Sequence, residues 1–141
     1  GPARRVFASV RQLGSALTNG DTLAVLVDFG KGHALLSAVL ATPFDGRFAV
    51  YGAKGWVEVR DKAHPEAPEG WVLTKVIRGK GKESREFPPA KAVLSNLEAF
   101  ADAATGGAPY PVPQEQMIAN VAALEAIVKS TKSGKAEEVD S

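Results

Sequence analysis

The chain has no cysteine among its 141 residues. That excludes a disulfide framework, a thiol nucleophile and thiolate metal sites. Acidic and basic residues nearly balance, leaving a net charge of +1. No whole-chain field therefore draws in nucleic acid or an anionic membrane, and neither is expected as a partner. No apolar run approaches the roughly 20 residues of a membrane-spanning helix. No signal peptide is visible, because Arg4-Arg5 leads at once into alternating, strand-like residues. Together these features predict a cytoplasmic protein. His33 and His64 are the only histidines. Neither has a second ligand at metal spacing, so no metal site is expected. Internal repeats and low-complexity tracts are also missing, apart from a polar tail after Lys129.

What is present reads as strands first and helices second. Val6, Ala8 and Val10 alternate with Phe7, Ser9 and Arg11. Thr22–Phe29 and Ala34–Ala41 are nearly continuous apolar runs of strand length, with Gly30-Lys31-Gly32 as the hairpin turn between them. Arg47–Tyr51 and Trp56–Arg60 flank Gly52-Ala53-Lys54-Gly55 as a second hairpin. Asp61–Gly70, with Pro65 and Pro68, predicts a surface loop. Trp71–Arg78 and Ser84–Phe87 flank Gly79-Lys80-Gly81-Lys82. Val93, Leu94, Leu97, Phe100, Ala101 and Ala104 then follow a helical period. Thr105-Gly106-Gly107 stops that helix. Pro113 suits the first position of a second helix, whose apolar face includes Met117, Ile118, Val121, Leu124 and Val128. Gly134 ends it, and Lys135–Val139 returns as a strand.

Strands joined by tight turns imply antiparallel pairing, and helices grouped after them imply an α+β layer. The fold expected is an open, mostly antiparallel sheet with helices on one face. The other face is left available for oligomerisation. Residues 1–139 form the single expected domain and 140–141 a tail.

Two glycine segments invite a cofactor reading. Leu23–Phe29 followed by Gly30-Lys31-Gly32 opens like a dinucleotide fingerprint, but the third glycine position is Leu35 and a strand follows. Gly79-Lys80-Gly81-Lys82-Glu83-Ser84 lacks the spacing of a phosphate-binding loop. Both are better read as hairpin turns. The basic run Lys75, Arg78, Lys80, Lys82 and Arg85 is broken by Glu83 and has no interleaved aromatics for base stacking. No Ser-His-acid or paired-carboxylate constellation stands out, so no catalytic residue is assigned.

Six segments in order carry a family resemblance: Gly1–Ala8, Val27–Gly32, Phe48–Val57, Asn96–Phe100, Pro111-Val112-Pro113, and Asn120–Ser130 followed by Gly134-Lys135. With them, Gly1 to Val139 resembles the C-terminal domain of the glucose–fructose oxidoreductase and inositol dehydrogenase (Gfo/Idh/MocA) family. The resemblance implies a domain that shapes a substrate pocket and mediates oligomerisation through its sheet. It also implies that NAD or NADP sits on a separate N-terminal domain that is missing here. The family's Glu-Lys-Pro motif and its upstream catalytic Asp and His have no counterparts, since no proline here follows a lysine.

The reading is thus a substrate-binding and oligomerisation domain of an NAD(P)-dependent oxidoreductase, at least dimeric, taking a small sugar-like substrate. This chain alone is expected to be inactive, with no cofactor of its own. Arg11, His33, Trp71 and Tyr110 are the substrate-binding candidates, as polar or amphipathic groups at strand ends and in the inter-helix loop. The alternative is a free-standing small-ligand-binding or scaffold module. A small cofactor-independent isomerase or dehydratase is a third reading, without an identifiable acid–base pair.

Overall fold

A computed structural model describes residues 1–140. The described residues form ten elements. They are β1 (Arg5–Arg11), β2 (Thr22–Asp28), β3 (His33–Val39), β4 (Arg47–Gly52), β5 (Gly55–Asp61), β6 (Trp71–Ile77), β7 (Lys82–Phe87), α1 (Ala92–Ala104), α2 (Gln114–Ser133) and β8 (Glu137–Glu138). The fold is mixed α+β, every strand pair is antiparallel, and no barrel closes. The strands fall into two four-stranded sheets, ordered β3-β2-β1-β8 and β4-β5-β6-β7. Contacts divide the chain into two compact units: Gly1–Thr42 with the chain from Gly106 onward, and Pro43–Thr105.

The first unit holds the buried core. Alternation along β1 turns Val6 and Ala8 to one face, and β2 turns Val25 and Val27 to the same face. α2 covers that face and buries Ala126 and Ser130. The opposite face carries rows set by strand register: Arg5–Asp28–His33, then Phe7–Leu26–Leu35, then Ser9–Ala24–Ser37, then Arg11–Thr22–Val39. Its apolar row is open, with Phe7 44%, Leu26 42% and Leu35 79% exposed. The continuous apolar character of β2 has this cause: residues on both of its faces ask for cover.

β8 is shorter than the expected Lys135–Val139 strand, since only Arg5↔Glu138 and Val6↔Glu137 pair. Gly134 closes α2 in the left-handed region (φ 68°), as its position after the apolar period predicts. Pro113 stands one residue outside α2, in extended conformation, instead of at its first helical position. The shift is small because a missing N–H is tolerated at either place.

The second unit is a four-stranded meander. Two tight turns, after β4 and after β6, lie at the same end of it, joined by Arg78 N–H donating to the Lys54 carbonyl at 2.8 Å. One face bears Phe48, Val50, Val57, Val59, Leu73 and Ile77. The other bears Arg47, Glu58, Arg60, Thr74 and Ser84, with Tyr51 and Trp56 near the turns. α1 buries none of its residues, and Val93, Leu94, Leu97 and Phe100 are exposed. Thr105 ends α1: its hydroxyl and its amide both donate to the Ala101 carbonyl.

Candidate functional site

In the first unit a hollow of about 390 Å³ opens at the end of β1 and β2 where Arg11 and Thr22 pair. Val10, Leu23, Ala38, Val39 and Leu40 give it an apolar wall, and Asn19 and Thr22 give it polar groups. Asp21 anchors the segment beside it and is only 5% exposed. Oδ1 accepts from the Leu13 amide (3.0 Å) and the Thr22 hydroxyl (3.0 Å). Oδ2 accepts from the amides of Gly14 (2.8 Å) and Ser15 (2.6 Å). The main chain of Asp21 is fixed too: its N–H donates to Arg11 and its carbonyl accepts from Leu40.

The backbone amides of Gly14 and Leu13 hold the Asp21 carboxyl far below the usual carboxylate range, against the opposing effect of burial. A carboxylate so fully engaged is ionised at neutral pH and has no basicity to lend. Asp21 positions residues 12–20 over the strand ends; it is not a proton acceptor. The hollow has an apolar wall with a few polar groups at its rim. It offers no nucleophile and no acid–base pair. Gly20 belongs to the same construction. It sits at φ 95°, and a side chain there would meet Val10 Cγ1.

Of the four sequence candidates, Arg11, His33 and Tyr110 fall in the first unit and Trp71 in the second. Arg11 is exposed at the end of β1, beside the hollow's strand end, with Nη1 donating to the Val10 carbonyl at 3.2 Å. His33 is exposed at the start of β3, opposite Asp28. Arg11 shares a row with Thr22 and Val39, six residues along β3 from His33, or about 20 Å. Those two residues therefore mark opposite ends of one sheet. Tyr110 is half-buried in the loop before α2. Trp71 opens β6 in the second unit, half-buried between Asp61 and Phe87 on the neighbouring strands. Asp21 escaped the sequence reading. Its one signal was a lone acid between Gly20 and a strand, after twenty residues without another acid.

A Rossmann-type dinucleotide site has a glycine turn that leads from a strand into a helix. Gly30 instead turns the β2–β3 hairpin (φ 78°), and its N–H donates to Asp28 Oδ1 at 2.7 Å. Gly79 (φ 76°) turns the β6–β7 hairpin. The helices begin after Lys91 and Pro113. Among the described residues no group of three metal-ligating side chains comes together, and no helix is long and apolar enough to cross a membrane.

No protein-family model and no curated protein sequence matches the chain. Solved structures do match its fold. A protein described as a candidate NADPH-dependent oxidoreductase from Desulfitobacterium hafniense superposes with a TM-score of 0.82 at 22% identity, over 99% of this chain and 43% of that one. An oxidoreductase from Agrobacterium radiobacter, solved with NAD+, L-tartaric acid and magnesium, gives 0.76 at 15% identity, over 99% and 44%. The aldose-aldose oxidoreductase from Caulobacter crescentus, solved with glycerol, gives 0.72 at 22% identity, over 97% and 41%. The chain spans less than half the length of each of these proteins. Nearly end to end, it has the fold of a part of the Gfo/Idh/MocA-type oxidoreductases.

Proposed function

We propose that residues 1–139 act as the substrate-binding and oligomerisation domain of a cytoplasmic NAD(P)-dependent oxidoreductase, with the cofactor held on another domain. The observation that carries this reading is the end-to-end fold match to under half of each neighbouring oxidoreductase. The misfit of both glycine turns to a dinucleotide supports a cofactor site elsewhere. Hydride transfer needs the cofactor's reactive carbon held against the substrate, so this chain alone does not catalyse it.

The substrate in this reading is small and hydroxylated. Glycerol and L-tartaric acid accompany two of the neighbours, and UDP-GlcNAcA accompanies the dehydrogenase WlbA from Bordetella pertussis, whose fold also matches. Arg11, next to the hollow, is the first substrate contact to test; His33, Trp71 and Tyr110 are the others. The exposed row Phe7–Leu26–Leu35, on the sheet face opposite α2, is the surface through which two copies pair.

A thermal-shift series with polyols and sugar acids tests the binding half. A saturable rise in Tm supports it. No rise with any member, from a chain that sediments as a dimer, replaces it with a scaffold.

A further inference from the structure

The sequence places five basic residues between Lys75 and Arg85 without an aromatic among them. The fold changes that picture. Strand register sets Tyr51, Trp56, Val76 and Lys82 in one row on one face of the second sheet. The two turns beyond that row carry Lys54, Arg78 and Lys80, and the Arg78–Lys54 backbone bond holds the turns side by side. Four cations and two aromatic rings thus share one end of a single sheet.

The nearby acids are already engaged. Glu83 pairs with Lys75 at 2.8 Å. Glu58 is held by Arg47 at 2.6 Å and Arg60 at 3.0 Å. Lys54, Arg78, Lys80 and Lys82 form no ion pair among the described residues. The whole chain carries only +1, so this end is a concentrated exception to it.

The aromatic half is ordered. The Tyr51 and Trp56 ring centroids lie 6.4 Å apart. The Tyr51 hydroxyl accepts from Arg47 Nη2 at 3.0 Å, and Arg47 is itself fixed by Glu58. Tyr51 is nonetheless 67% exposed, so a ring surface is presented to solvent by an anchored side chain. A Cβ at Gly79 or Gly81 would meet nothing, which leaves the approach to the lysines open.

We infer that this end of the β4–β7 sheet binds a nucleoside polyphosphate, with the base against Tyr51 and Trp56 and the phosphates among Lys54, Arg78, Lys80 and Lys82. Lys82 lies two strand spacings from Trp56, about 10 Å, a span that a ribose and its first phosphates bridge. Stacking on the Tyr51 and Trp56 rings and charge pairing with the cations are independent contributions, and one ligand uses both. The inference does not depend on the oxidoreductase reading.

Isothermal titration of the chain with ADP tests it, beside tripolyphosphate and a short oligothymidylate. Expected is saturable ADP binding that weakens roughly tenfold in Lys80→Gln/Lys82→Gln. It also weakens in Tyr51→Ala and falls as salt rises toward physiological strength. Tripolyphosphate is expected to bind more weakly than ADP, because it has no ring. No saturable binding of ADP, or binding unchanged in the double variant, overturns the inference. So does tripolyphosphate binding as tightly as ADP. An oligothymidylate that outcompetes ADP overturns it in favour of a nucleic-acid surface.

Discussion

The hydroxyl of Ser130 lies between Ala8 and Lys135 and completes a ladder that the backbone leaves unfinished. It accepts from the Ala8 amide at 2.8 Å and donates to the Lys135 carbonyl at 2.6 Å. β8 pairs with β1 only at Arg5 and Val6. Continuing that register would set Ala8 opposite Lys135, but the chain is still leaving α2 there. The side chain of a fully buried helical serine substitutes for the direct bond. It also ties the helix to the strand.

Ser130→Ala removes that relay and leaves the Ala8 N–H without its acceptor. The expected loss is about 1–3 kcal/mol of unfolding free energy, the range for an orphaned buried polar group. Urea unfolding measures it. A change within error would mean that water replaces the hydroxyl.

Asp21 makes stability depend on pH. Its carboxyl is depressed in the folded chain, so its contribution is fully present above the ordinary carboxylate range. As pH falls below about 4, the unfolded chain takes up a proton that the folded chain refuses, and stability declines. Asp21→Asn is expected to be less stable than the parent at pH 7, with a flatter acid limb. Parallel acid limbs in the two proteins would contradict the assignment.

Two glycines separate backbone strain from collision. Gly134 and Gly20 both have positive φ, at 68° and 95°. A Cβ on Gly134 meets nothing within 4 Å, whereas one on Gly20 meets Val10 Cγ1. Gly134→Ala is expected to cost about 1–2 kcal/mol, the left-handed penalty alone. Gly20→Ala should cost more, because the collision adds to that penalty. Equal losses in denaturant melts would show that Val10 gives way freely.

The open sheet face supplies an assembly test. Leu26 and Leu35 are paired neighbours at its centre. Sedimentation is expected to show a dimer for the parent and a monomer for Leu26→Lys/Leu35→Lys, since a desolvated lysine opposes an apolar interface. A double variant that remains dimeric moves the interface elsewhere.

Much of the fold is legible in residue periodicity. The alternation Val6-Phe7-Ala8 gives β1 and its buried face, and the apolar period ending at Gly134 gives α2. Glycine turns mark the hairpins because left-handed φ falls at Gly30 and Gly79. The division into two four-stranded sheets is not legible, since it depends on β3 and β4 staying unpaired with each other and on β8 returning to β1. The Asp21 anchor is hidden for a related reason. Three of its four partners are main-chain amides, and no side-chain pattern announces those. Lys82 and Trp56 are likewise remote in sequence and meet on one face only through the register of three strands.

The proposed role is that of a substrate-binding and assembly domain that leaves hydride transfer to another domain. The most direct measurement is the absorbance of reduced nicotinamide when the 141-residue chain is mixed with NADH or NADPH and a panel of oxidised sugars. The account predicts no consumption above the protein-free rate. Sustained turnover by this chain alone, proportional to its concentration, would contradict it.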